Sequence, residues 1–255
     1  MVFLDSVDFI TDDVFFSGVA MSEKSFVKTL NGYKDFLAEN NKPSQLVFGQ
    51  YSLSYFDGED KIYSTDPEGQ GLLFLYQYND FWAISNSYYA LCLYIKKKDW
   101  PRTLNKTAVS EYLVHEMLFN QPISDDLSFY EINLIPKQNQ ARVHAGKVFL
   151  EKPGRVYPKQ FIEMGVKEAC SYFSSYFYSL VEKFKSLGWP IEFELSGGLD
   201  SRVIASILSD FARCDLVYFS SKRKGSKDYI VANQLMKYLG GKHEEVCKQP
   251  QVTFD

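Results

Sequence analysis

Ile191-Glu192-Phe193-Glu194-Leu195 runs directly into Ser196-Gly197-Gly198-Leu199-Asp200-Ser201-Arg202, a strand-like alternation followed by a glycine turn. The apolar–charged alternation predicts a short strand over Ile191–Leu195. A helix is expected over Ser201–Ala212 and a second strand over Asp215–Ser220. Ser226 is placed to cap a further helix at Lys227–Leu239, which Gly240-Gly241 would end. Glu244–Cys247 would start a third strand. Strands alternating with helices imply βαβ units and a parallel sheet. Upstream, apolar residues at Val166, Ala169, Phe173, Phe177, Leu180, Val181, Phe184 and Leu187 follow helical spacing and predict a helix over Phe161–Leu187. Gly188 and Pro190 would stop it. Its aromatic cluster, Tyr172–Tyr178, reads as core.

The turn stands where chemistry concentrates in such a sheet, since ligands bind outside the carboxyl ends of parallel strands. A helix N-terminus offers free N–H groups and a positive dipole end, which suit phosphate. Two glycines let the backbone approach an anion closely. Ser196 and Ser201 add hydroxyls, and the Asp200 carboxylate is a hard oxygen ligand for Mg²⁺. An ordinary glycine-rich turn without a ligand is the plainer alternative. Two other phosphate motifs fail. Gly18–Ser25 is the nearest approach to a Walker loop but has Glu23 where its second glycine belongs. No GxGxxG follows a strand.

The first half has a different rhythm. Gln45–Phe56 is rich in strand formers and leads into Asp57-Gly58, a hairpin signal. Lys61–Thr65 follows, then a turn at Asp66–Gly69 and two more strand-like runs, Leu72–Tyr78 and Phe81–Ser85. Short helices are expected at Ser22–Glu39, Ser87–Lys96 and Thr107–Phe119, with Lys96-Lys97-Lys98 as a solvated helix end. A weak strand at Lys147–Leu150 and the Pro and Gly residues of 136–162 mark a connection. The domains are expected at 1–155 and 160–255, the first α+β with antiparallel strands.

Composition narrows the classes. The chain has 255 residues, 45% hydrophobic and 24% charged, which is globular. Apolar runs such as Leu72–Tyr76 are too short to cross a bilayer. Asp5 and Asp8 interrupt any secretory n-region. The cysteines (Cys92, Cys170, Cys214, Cys247) form no CxxC pair, so a zinc site or disulfide framework is not expected and a reduced, cytoplasmic setting is. Net charge is −4, against a nucleic-acid partner. Its distribution is uneven: −6 over residues 1–150 and +2 over residues 151–255.

Ser196–Ser201 resembles the SGGxDS pyrophosphate loop of the PP-loop ATPases, and the chain is most similar to the asparagine synthetase family. Gly225-Ser226-Lys227-Asp228 through Ala232, Leu239-Gly240 and His243–Val246 resemble that family's second helix and third strand. Glu111–Leu113 and Glu131–Pro136 are similar to the segment before its synthetase domain. Gly49–Leu53, Asp66–Gly69 and Trp82–Asn86 are similar to its N-terminal glutaminase sheets. The resemblance implies an Ntn-hydrolase-like αββα sandwich followed by an incomplete PP-loop domain of the adenine nucleotide α-hydrolase-like kind.

It further implies an ATP- and Mg²⁺-dependent, AMP-forming amide ligase, acting on a carboxylate and an amine or ammonia, from small molecules or peptides. Leu195, Ser196, Gly197, Gly198, Asp200, Ser201, Phe219 and Ser221 would line the nucleotide site, with Asp200 on the metal. No catalytic acid or base is assigned; it is expected beyond residue 255. A working glutaminase of this kind has an N-terminal cysteine, whereas Val2 follows Met1 here, and its arginine and Asn-Gly-Glu motifs are not recognisable. Loss of glutaminase activity is expected, a pattern similar to the β-lactam synthetase and lasso-peptide cyclase branches. Only 54 residues follow Ser201, short for a synthetase domain. A fragment, a truncated product and one piece of a split enzyme all fit, the last two completed by a partner chain or by self-association.

The rival reading is a non-catalytic scaffold or partner-binding subunit with a remnant nucleotide loop. Another PP-loop enzyme, such as an NAD synthetase or a tRNA-thiolating enzyme, fits the loop but not the N-terminal sheets. His115, His144 and His243 read as surface or supporting residues. Lys222-Arg223-Lys224 is a solvated loop or a triphosphate contact. Asn105-Lys106-Thr107 is a formal glycosylation sequon that a cytosolic chain does not use.

Overall fold

The computed structural model describes residues 2–5, 13–22, 25–118, 126–153, 164–186, 191–211, 216–220, 225–239 and 242–245. The chain divides into two compact units, Met1–Arg155 and Val156–Asp255.

The first unit is α+β with antiparallel sheets. One sheet orders β1 (Val2–Asp5), β7 (Phe81–Ser85), β6 (Phe74–Tyr78) and β8 (Ile132–Leu134). The other orders β10 (Lys147–Glu151), β9 (Gln140–His144), β5 (Asp60–Thr65), β4 (Phe48–Asp57), β2 (Phe16–Met21) and β3 (Phe26–Val27). Side chains alternate across each strand, so every strand serves two layers. Tyr63, Ala141, Val143 and Val148 of one sheet pack with Leu75, Trp82 and Ile84 of the other. On the far face of the larger sheet, helix α1 (Leu30–Ala38) packs Tyr33 and Phe36 against Phe16, Tyr51 and Leu53. On the far face of the smaller one, α2 (Tyr88–Lys97) packs Leu91 and Ile95 against Phe74, Tyr76 and Ala83. The result is helix, sheet, sheet, helix. A third helix, α3, spans Lys106–Leu118.

Asp57-Gly58 makes its turn, with Asp57 paired to Asp60 and Gly58 at φ +64°. The helix expected over Ser22–Glu39 is shorter than its pattern. Phe26 and Val27 pair with Met21 and Ala20 instead, and Thr29 Oγ1 accepts from Gly32 N at 3.0 Å to start α1. A strand partner in space outweighs a local helical pattern. Lys96 and Lys97 are exposed at the end of α2, and the Lys98 ammonium lies 5.4 Å from the Tyr94 ring centroid.

The second unit runs α4 (Val166–Ser186), β11 (Ile191–Glu194), α5 (Leu199–Phe211), β12 (Leu216–Ser220), α6 (Lys227–Leu239) and β13 (Lys242–Glu245). The strands pair in chain order and run parallel, with Ile191 opposite Leu216 and Val217 opposite Lys242. Val181, Leu195, Ala205, Ile207, Leu208, Ala232 and Met236 form its core. Of the aromatic cluster of α4, Tyr178 packs against that core, while the rest does not fill it. Tyr172, Phe173 and Phe177 are 39–50% exposed, because the helix buries its C-terminal end at Leu180 and Val181. No helix among the described residues is long and apolar enough to cross a membrane.

Candidate functional site

The turn from β11 to α5 is held by two serines. Leu195 is fully buried and anchors the strand end in the core. From there the chain leaves the sheet at Ser196, whose N–H donates to Ser201 Oγ at 3.3 Å. The Ser201 hydroxyl lies 3.0 Å from the Ser196 carbonyl oxygen, 3.0 Å from Ser196 Oγ and 3.1 Å from the Gly198 carbonyl. Ser196 Oγ accepts from Gly198 N at 3.2 Å. These contacts wrap the loop around the start of α5 without engaging the side chain of Asp200. Asp200, second residue of the helix, is exposed and has no hydrogen-bond or ion-pair partner among the described residues.

Gly198 also meets Arg202, whose Nε donates to the Gly198 carbonyl at 3.3 Å. That places a guanidinium beside the helix N-terminus, where the dipole already favours anions. Helix α6 begins beside the same loop. Gly225 at φ +89° leads into Ser226, whose Oγ accepts from Tyr229 N at 3.2 Å as the cap. A β-carbon built on Gly197 would stand 2.6 Å from Asp228 Oδ1 and 3.2 Å from its Cα, so the first turn of α6 is in contact with the loop.

The expected site residues thus fall into two groups. Leu195, Ser196, Gly197, Gly198, Asp200 and Ser201 are one continuous structure. Phe219 lies in β12 opposite Glu194, one strand away from the loop's base. Ser221 and Lys222–Lys224 lie outside the described residues. Arg202 and Asp228 were not singled out by sequence reasoning. An acidic residue at the second position of each of two successive helices was the signal available for Asp228.

The histidines are elsewhere. His144 is exposed on β9 with Nδ1 2.5 Å from Asp60 Oδ1. His243 lies in β13, and the side chain of His115 is outside the described residues. Asn105 is buried, its Oδ1 accepting from Ala108 N at 3.2 Å, so the sequon asparagine serves as a helix cap.

Parallel strand, glycine turn and helix N-terminus with adjoining hydroxyls are groups that chemically suit an anion. Residues 188–255 match the family model for asparagine synthase. No curated protein matches the chain. The second unit therefore carries a segment of asparagine synthase type, and the family resemblance carried by Ser196–Ser201 stands on that match.

Proposed function

We propose that the chain is an ATP-dependent, AMP-forming ligase of asparagine synthetase type, with its nucleotide on the Ser196–Ser201 loop. The observation that carries the reading is that loop, set between a parallel strand and a helix N-terminus inside the matched segment. Backbone N–H groups of the first turn of α5 would receive pyrophosphate oxygens, with the loop's shape fixed by the hydrogen bonds between Ser196 and Ser201. Arg202 would add a charge-assisted contact. Leu195 and the backbone around Phe219 and Ser221 would lie near the adenosine.

The donor set fits Mg²⁺. Such sites use one or two carboxylates plus substrate phosphates rather than an all-protein cage. Asp200 is an unpaired carboxylate beside the loop, while no group of three or more His, Cys, Asp or Glu gathers among the described residues. Bound Mg²⁺ would neutralise charge on the leaving pyrophosphate. In the reaction, a carboxylate oxygen attacks the α-phosphorus and pyrophosphate leaves. An amine or ammonia then attacks the acyl carbon, AMP leaves, and the nitrogen loses a proton to a base not assigned in this chain.

We read the first unit's helix, sheet, sheet, helix layers as an Ntn-hydrolase-like sandwich, and we assign it no glutaminase role. Strand β1 reads Val2-Phe3-Leu4-Asp5 and offers no cysteine, serine or threonine as nucleophile. Exposed apolar residues on the second unit, among them Phe173, Leu199, Val203, Ile230 and Tyr238, favour a covering partner chain or a second copy.

The test is ATP–pyrophosphate exchange across a panel of amino acids and peptides. Carboxylate-dependent exchange supports the ligase. Nucleotide binding without exchange, or neither, supports the scaffold reading.

A further inference from the structure

Asp200 and Asp228 occupy the same place in successive βα units. Each is the second residue of its helix, α5 and α6. The strands that feed those helices, β11 and β12, are parallel neighbours. Both carboxylates therefore lie beyond the carboxyl edge of one sheet. From these placements we infer that Asp228 is a second acidic determinant of the loop, and that position 197 is glycine to admit its carboxylate. This rests on the loop's receiving pyrophosphate.

The cap of α6 is already made by Ser226 Oγ, so Asp228 is not needed for it. The Asp228 carboxylate has no hydrogen-bond or ion-pair partner among the described residues. A carboxylate serving only the helix dipole would point into solvent and require nothing of its neighbours. Asp228 instead occupies the space where a side chain at 197 would begin, with 2.6 Å between Oδ1 and that β-carbon. The closest contact is with the end of a short side chain, which an alanine at 197 would turn away, while the 3.2 Å approach to the Asp228 Cα asks only a slight shift of the helix start.

Two carboxylates bordering a polyphosphate loop repel a bare polyanion and favour one neutralised by a divalent cation. Asp228 is thereby a specificity residue. It raises the loop's preference for the Mg²⁺ complex over metal-free phosphates, and Gly197 supports it sterically.

The experiment is calorimetric titration of the full chain with inorganic pyrophosphate, in MgCl₂ and in EDTA, with melting curves. Asp228→Asn keeps the shape and removes the charge. Affinity in MgCl₂ should fall about tenfold or more, which is the scale of 1.4 kcal/mol. Affinity in EDTA should rise and the melting temperature should hardly move. Gly197→Ala should lose affinity in MgCl₂ too, and should lose little more when placed on Asp228→Ala, whose carboxylate is already gone. Unchanged affinities for Asp228→Asn, or independent effects of the 197 and 228 changes, overturn the inference. If Asp200→Asn weakens binding while Asp228→Asn does not, only Asp228's role falls. If the folded wild type binds no pyrophosphate under either condition, the loop's assignment falls and takes this inference with it.

Discussion

The hydroxyl of Ser201 closes the glycine loop on Ser196, lying 3.0 Å from both the carbonyl and the hydroxyl oxygen of that residue. One side chain on the helix thus fixes both ends of the turn. Ser201→Ala should cost about 1 kcal/mol in urea unfolding, the usual net worth of such a bond. Its larger effect should be on nucleotide affinity, because an untied loop must be ordered by the ligand. Titration with ATP in Mg²⁺ beside the unfolding curve separates the two losses.

Asp200→Asn is expected to behave differently. The carboxylate is exposed and unpaired among the described residues, so stability should hardly change. Binding of ATP in Mg²⁺ should weaken by about 2 kcal/mol, the scale of a lost charged contact. In EDTA, binding should be equal or slightly stronger, since a like charge facing the phosphates has gone. Equal affinities in Mg²⁺ for the two proteins would remove Asp200 from the metal.

Tyr63 is fully buried between the sheets, and its hydroxyl has no hydrogen-bond partner among the described residues. Burial also pushes its pKa well up, so the ring stays neutral. An unsatisfied hydroxyl costs free energy that a phenyl ring does not. Tyr63→Phe should therefore stabilise the first unit by about 1 kcal/mol, seen as a higher urea midpoint at unchanged slope. A loss of stability would mean that the hydroxyl is satisfied in solution.

Gly49 pairs opposite Ala20 at φ +128°, with its missing β-carbon 2.1 Å from the Val19 carbonyl oxygen. Backbone cannot rotate aside as a carboxylate can. Gly49→Ala should cost more than about 2 kcal/mol, from strain and clash together. Soluble yield and thermal melting give the readout, with the second unit's Gly225→Ala as comparison, where open space surrounds the position.

Arg142 binds Asp60 at 2.7 Å, Glu151 at 3.0 Å and Asp57 at 3.2 Å, while His144 meets the other oxygen of Asp60. The hydrogen bonds from His144 and Arg142 hold the Asp60 carboxyl below its ordinary range, and those from Arg142 and Gln140 do so for Glu151. Lowered carboxylate pKa values stabilise the fold above the unfolded values and stop doing so as pH falls through the folded ones. Wild type should therefore melt above Arg142→Gln at neutral pH. The gap should narrow below roughly pH 4, where unfolded carboxylates take up protons. A gap that persists in acid would assign the effect of Arg142 to packing.

What was legible in the sequence was what local pattern and chemistry decide. Phe81–Ser85 and Lys227–Leu239 have the bounds that their alternation and capping indicated, and the loop could be read because its residue types are few and their order is rare. What long-range pairing decides was not legible. Phe26 and Val27 became strand because Met21 and Ala20 were there to bond them. Strands β2 and β9 were missed, being short, interrupted and defined by partners far along the chain. The contact of Asp228 with Gly197 joins residues 31 positions apart, and neither has any local reason to meet the other.

Trp82 is buried in the core between the sheets, and its indole N–H donates to the Gly146 carbonyl at 2.8 Å, from the smaller sheet to the β9–β10 turn of the larger. Trp100 is buried in the layer beneath α2, and both belong to the first unit. The chain therefore carries its own optical label. With Trp189 changed to phenylalanine, emission excited at the red edge, where tyrosine does not absorb, comes from Trp82 and Trp100 of the first unit alone, and its colour reports whether the two sheets are still closed on each other.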